Sequence, residues 1–317
     1  MNRTKLALAV GLLVLAGSTF AKKPPPPAAD PEIAYVESGR KDTLCVADAD
    51  GSNETELLSA SMIGRPNWCP DGDTLVFESD VQGDGVYTIN IDGTGLTKVV
   101  SKNWALGRPV WSPVATDDGE FKIAFSDRTA QGDADIFLVN LDGTGLQNLT
   151  NTPDIYESQP TWAPSADRLA INDVTNDDIV VYDLDLVDGE LAIVASLNLT
   201  SDDDVPDGVL NDSDVSGPDW AKTQDAIILH VVGSPDVNGG SNLGDLWVID
   251  LDDPANPVNI TNTPDTEERH ATYSPDDLSV AFHKNGRKDG IYVMDADGGS
   301  MSQIVSRAGL PDWRRNP

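Results

Sequence analysis

The chain has 317 residues, with 53 Asp and Glu against 21 Lys and Arg, a formal charge of -32, 39% hydrophobic residues and two cysteines. So acidic a body lacks the clustered cations that nucleic-acid phosphates or anionic lipid surfaces demand. Two cysteines supply neither a disulfide framework nor a structural zinc site, so the fold is expected to rest on its apolar core and to meet neutral or basic partners.

In chain order, Arg3 and Lys5 precede an apolar run from Leu6 to Gly17, and Thr19-Phe20-Ala21 offers a small-residue cleavage site. Residues 1–21 therefore read as an export signal peptide. The run is shorter than the about 20 apolar residues a membrane helix needs, so no span is expected after cleavage. Cleavage takes the formal charge to -34. Residues 22–30, with Pro24 to Pro27, read as an extended Pro-rich spacer. A periplasmic or secreted protein is expected, with no lipobox thiol near the cleavage site.

From residue 31 to 317 the chain repeats itself. A Pro-x-Trp phrase recurs at Pro66-Asn67-Trp68, Pro109-Val110-Trp111, Pro160-Thr161-Trp162, Pro218-Asp219-Trp220 and Pro311-Asp312-Trp313, with Ala271-Thr272-Tyr273 in the same slot. A turn segment follows each aromatic, such as Cys69-Pro70-Asp71-Gly72. A run of β-formers comes next, such as Leu75-Val76-Phe77 or Val280-Ala281-Phe282, and then a second run, such as Val86-Tyr87-Thr88-Ile89. Asp-Gly pairs at 50–51, 92–93, 142–143 and 297–298 mark hairpins, because tight turns need positive φ. A polar fourth strand, such as Leu146 to Thr150, completes the unit. No sustained helical period occurs after the leader. Six units of four strands predict an all-β, six-bladed β-propeller. The chain starts on a second strand, Ile33-Ala34-Tyr35-Val36, and ends on a lone first strand at Trp313. The C-terminal strand is therefore expected to complete the N-terminal blade and close the ring.

The phrases Trp111-Ser112-Pro113, Ser274-Pro275-Asp276-Asp277 and Gly290-Ile291-Tyr292-Val293-Met294-Asp295-Ala296-Asp297-Gly298 resemble the Trp-Ser-Pro-Asp-Gly and Ile-Tyr-Val-Met-Asp phrases of TolB-type β-propeller (PD40) repeats, over about residues 31 to 317. The resemblance implies a propeller that binds a protein partner in the bacterial envelope, a peptidoglycan-associated lipoprotein in the family's namesake. There an α/β domain precedes the propeller; only residues 22–30 lie between leader and first blade here, so that domain is not expected.

Hairpin register predicts which side chains face each other on the innermost strands. With the turns centred at 71/72, 165/166 and 276/277, Arg65 is expected opposite Glu78, Gln159 opposite Asn172 and His270 opposite His283. The residue before each Pro slot then forms a ring at the funnel mouth: Arg65, Arg108, Gln159, Gly217, His270 and Leu310. Cations at one opening of so acidic a protein point to an acidic or polar ligand, or an acidic segment of a partner. Pairing of the arginines with nearby carboxylates for structural reasons is the alternative.

The three histidines, His230, His270 and His283, fall near the same level, and imidazoles so placed can hold a transition metal. A partial calcium loop is found in the acidic insertion 202–214, with Asp203, Asp207, Asp212 and Asp214 as candidate ligands. Val205 stands where a third ligand would be, and flanking helices are not evident. No Gly-x-Ser-x-Gly elbow occurs, and Gly93-Thr94-Gly95 and Gly143-Thr144-Gly145 lack the helix and Lys of a phosphate loop. A disulfide between Cys45 and Cys69 is left open. The favoured reading is an exported, non-catalytic propeller that binds a protein or peptide at its funnel face. A metal-dependent enzyme acting on acidic saccharides and a calcium-stabilised surface or matrix component are the alternatives, and oligomeric state is open.

Overall fold

The computed structural model describes residues 32–102, 108–201, 210, 214–232, 243–263 and 266–315. The leader and spacer, and the candidate calcium ligands Asp203, Asp207 and Asp212, lie outside the described residues; Asp214 is exposed at the start of a strand.

The described residues form six four-stranded antiparallel sheets, each with its strands in chain order from the inside outward except the first, whose innermost strand comes from the C-terminus. Blade 1 is Ile33–Glu37, Asp42–Ala47 and Thr55–Ala60, with Ala308–Trp313 as its innermost strand. Blades 2 to 6 begin on Asn67–Trp68, Val110–Trp111, Glu157–Trp162, Asp214–Trp220 and Glu267–Tyr273. Each of these inner strands touches the inner strands of the blades before and after it, so the ring of six closes on itself. The closing strand pairs with the first one, Trp313 opposite Ile33 and Ala308 opposite Glu37, as the lone terminal strands predict.

The β-runs that read as unbroken apolar stretches are second strands buried on both faces. Leu75, Val76 and Phe77 are all fully buried, because each blade stacks on two neighbours. Among the described residues the core is six clusters, one at each blade junction. The aromatic of the repeated phrase packs into the junction with the preceding blade: Trp68 among blade 1 residues, Trp111 among those of blade 2, and Tyr273 among those of blade 5. Cys45 and Cys69 are both free and buried, in separate clusters.

The hairpins after the third strands behave as their sequences predict, with the glycine alone taking positive φ: +79° at Gly93 and +82° at Gly143. The Asp caps the turn instead, its carboxylate accepting the Thr94 or Thr144 amide at 2.9 Å. These glycines abut the preceding blade. A Cβ on Gly143 would lie 2.5 Å from the Val99 carbonyl oxygen, and one on Gly298 would lie 2.1 Å from that of Ile260.

Candidate functional site

The innermost strands carry three stacked rings of side chains down the central channel. At the funnel mouth stand the residues before each Pro slot. One step deeper are the residues between Pro and aromatic: Asn67, Val110, Thr161, Asp219, Thr272 and Asp312. At the opposite mouth are the second residues after each aromatic.

The predicted pairings at the funnel mouth are off by one residue. Past the Asn67–Val76 pair the chain slips, so that the Gly64 amide, not Arg65, meets the Glu78 carbonyl at 2.9 Å. Asn172 lies opposite Ser158 and not Gln159, and His283 opposite Arg269 and not His270. The cause is a β-bulge at the residue before the Pro slot, which takes left-handed φ at Gln159 (53°), Gly217 (65°), His270 (55°) and Leu310 (56°). Each bulge inserts one residue that faces the channel instead of a ladder partner.

The bulges also leave ladder carbonyls without strand partners, and the two arginines satisfy them. Arg65 donates from Nε to the Pro311 carbonyl (3.0 Å) and from a terminal nitrogen to the Ala271 carbonyl (2.7 Å). Arg108 donates to the Pro218 carbonyl and to the Asp219 carboxylate, both at 2.6 Å. Blades 2 and 3 thereby reach across to blades 6, 1 and 5, and both guanidinium groups are buried inside the channel rather than displayed at its rim. Burial and the neighbouring Arg108 push the Arg65 pKa down to about 9. Burial by itself would raise the Asp219 carboxyl, but Lys222, Arg108 and Arg65 together hold it well below the usual carboxylate range.

Above this plug lies a cavity of about 190 Å³ lined by Met62, Ile63, Gly64, Arg65, Glu78, Arg108, Gln159, His270 and Leu310. Glu78 is buried and ion-paired with Lys102 at 3.2 Å. Met62, Ile63 and Leu310 supply apolar wall. Asn172 is buried in blade 4 and does not line this cup. A second cavity of about 200 Å³ adjoins it between blades 4, 5 and 6, lined by Gln159, Ser216, Gly217, His230, Glu267, Arg269 and His270.

The histidines share this region without forming a ligand set. His270 and His283 stack in parallel, with ring centroids 6.2 Å apart. Nε2 of His283 is 2.9 Å from the Asp289 carboxylate, and Nδ1 of His230 is 3.3 Å from the Ser216 hydroxyl. Nδ1 of His270 and Nε2 of His230 are buried without partners. Burial, then Arg65 and Arg269, push the His270 pKa well below its ordinary value, and burial lowers that of His230, so neither carries charge at neutral pH. Among the described residues no group of three or more His, Cys, Asp or Glu is arranged to hold a metal ion, nor is any helix long and apolar enough to cross a membrane.

The middle ring was missed by sequence reasoning, although its signal is the x of Pro-x-Trp. Its side chains accept the aromatic's backbone amide in the next blade: Asp312 from Trp68 (3.0 Å), Asn67 from Trp111 (2.8 Å), Thr161 from Trp220 (3.3 Å) and Asp219 from Tyr273 (3.3 Å). Four of the six junctions are stapled in this way.

The TolB β-propeller domain model matches residues 28–202, more than half of the chain. The Tol-Pal system protein TolB of Alcanivorax borkumensis is 38% identical over 95 residues, 28% of this chain and 22% of that protein. The protein of the same name from Hahella chejuensis is 45% identical over 76 residues, 22% and 18% of the two chains. A protein TolB homolog from Chlorobium chlorochromatii is 32% identical over 142 residues, 44% and 30%. The chain thus matches less than a third of the length of each of these relatives. Among solved structures, TolB from Acinetobacter baumannii superposes with a TM-score of 0.67 at 20% identity, over 91% of this chain and 68% of that one. The structure of putative TolB from Agrobacterium tumefaciens gives 0.60 at 19% identity, over 87% and 88%. At these identities the structural likeness is one of fold.

Proposed function

The chain belongs to the TolB β-propeller domain family, and on that premise we propose that it is an exported, non-catalytic envelope scaffold whose funnel face docks a protein or peptide partner. The observation that carries this reading is the cup above the arginine plug. Because Arg65 and Arg108 close the channel beneath it, the funnel is a shallow recess, sized for one or two side chains of a partner. Met62, Ile63 and Leu310 offer apolar contact there, while Gln159, Glu78 and His270 offer polar edges. An interface of this kind takes its energy from an anchor residue seated in a pocket.

The relatives' names tie them to the Tol-Pal system, so the first partner to test is a purified peptidoglycan-associated lipoprotein domain, by titration calorimetry. The expected result is one-to-one binding that weakens at least tenfold in Leu310→Glu, which sets a carboxylate in the cup. Undiminished binding by the variant would place the interface elsewhere, and no binding by the unmodified protein would reject this partner.

A further inference from the structure

The opposite mouth of the channel is ringed by one residue from each blade: Pro70, Pro113, Pro164, Lys222, Pro275 and Arg315, around a cavity of about 220 Å³. All six occupy the same place in their repeats, two residues after the aromatic. Four blades set a proline there, which has no amide hydrogen to donate. Blades 5 and 1 set a cation there instead, with only blade 6 between them. Two cations at one six-membered opening stand out in a chain of formal charge -32.

Around this mouth Arg108, Lys222 and Arg315 balance three carboxylates, Asp219, Asp312 and Asp277, but the carboxylates are committed to other donors. Asp219 is held by Arg108 at 2.6 Å and Lys222 at 2.9 Å. Asp312 accepts the Trp68 amide and the Asn67 side chain. Asp277 accepts the Lys222 amide together with the Thr223 amide and hydroxyl. Among the described residues Arg315 makes no hydrogen bond and no ion pair. The unbonded donors at this mouth therefore belong to a guanidinium, the group best shaped for two oxygens of one anion.

We propose that this proline-ringed mouth binds a single small oxyanion between Arg315 and Lys222, the guanidinium gripping two oxygens and the ammonium adding charge. A carboxylate and inorganic phosphate share the required chemistry. The site lies at the other end of the channel from the docking cup and is independent of it.

The test titrates inorganic phosphate and, separately, N-acetylaspartate amide into the whole protein at constant ionic strength set with chloride, following one-to-one binding and the thermal midpoint. At least one anion is expected to bind and to raise the midpoint; which one does so identifies the source. Arg315→Gln, which removes no hydrogen bond, is expected to weaken binding at least tenfold. Arg315→Lys is expected to retain part of the affinity. The exposed Arg287→Gln and the cup variant Leu310→Glu are expected to bind as the unmodified protein does. Failure of both anions to bind the unmodified protein, or equal binding by Arg315→Gln, would overturn the proposal.

Discussion

Asp219 carries more of the channel than any other single residue. Its two oxygens meet Arg108, Lys222 and the Tyr273 amide in a site closed to water. Removing one member of a buried ionic set leaves the others uncompensated, which typically costs about 3–5 kcal/mol. Asp219→Ala is expected to lose stability on that scale by chemical denaturation, whereas a loss under about 1 kcal/mol would mean that water or Asp312 replaces it. The histidines set a pH dependence of definite sign. The pKa values of His270 and His230 are depressed in the folded chain, so above the ordinary value neither state binds the proton and nothing is contributed. Below it the unfolded chain protonates first, and stability falls by up to about 1.4 kcal/mol per pH unit for each histidine. The thermal midpoint is expected to drop between pH 6.5 and 5. His270→Asn, whose side chain tolerates the left-handed φ, is expected to drop less steeply; an identical slope would assign the effect to His230 or to carboxylates.

At the scale of strands and turns, the bulge before each Pro slot decides what the channel displays. The repeat spacing predicts which residue precedes each Pro slot, yet the pairing of Arg65 with Glu78, of Gln159 with Asn172 and of His270 with His283 failed, because a hairpin sum assumes an uninterrupted ladder. Left-handed φ at a Gln, a His or a Leu leaves no compositional trace of the kind glycine leaves. The blade-to-blade staples are the second device at this scale. Asn67→Ala removes the acceptor of the Trp111 amide and is expected to cost about 1–3 kcal/mol, as for any buried donor left unmet. The Asp-Gly hairpins are the third. In Gly143→Ala the new methyl meets the Val99 carbonyl and the backbone stays at positive φ. A lower thermal midpoint is expected there than for Gly189→Ala, whose glycine also has positive φ but nothing within 4 Å. Equal midpoints would show that the hairpin shifts freely.

For the whole molecule, the ring has no free inner edge only because Ala308–Trp313 lies beside Ile33–Glu37. Removing residues 308–317 would strip blade 1 of its inner strand, take Trp313 from the junction with blade 6, and take Asp312 from Trp68. The expected outcome is loss of the cooperative calorimetric transition, with association through the exposed edge of Ile33–Glu37. A truncated chain that kept the full-length midpoint would mean that closure contributes little.

The six-blade architecture, the strand order within each blade and the terminal closure were all legible in the sequence. Each follows from a period: two residues along a strand, four strands to a repeat, six repeats to the chain. The spacing of prolines, aromatics and Asp-Gly pairs reports those periods directly. The chemistry of the channel was not legible in the same way. That Arg65 and Arg108 turn inward to meet carbonyls freed by bulges, that Asp219 sits between two cations, and that Lys222 and Arg315 share one mouth all depend on blades far apart in sequence, 246 residues for Arg65 and Pro311, meeting at one axis. Which charges neutralise one another there is decided by three-dimensional distance and burial, and a linear pattern carries neither.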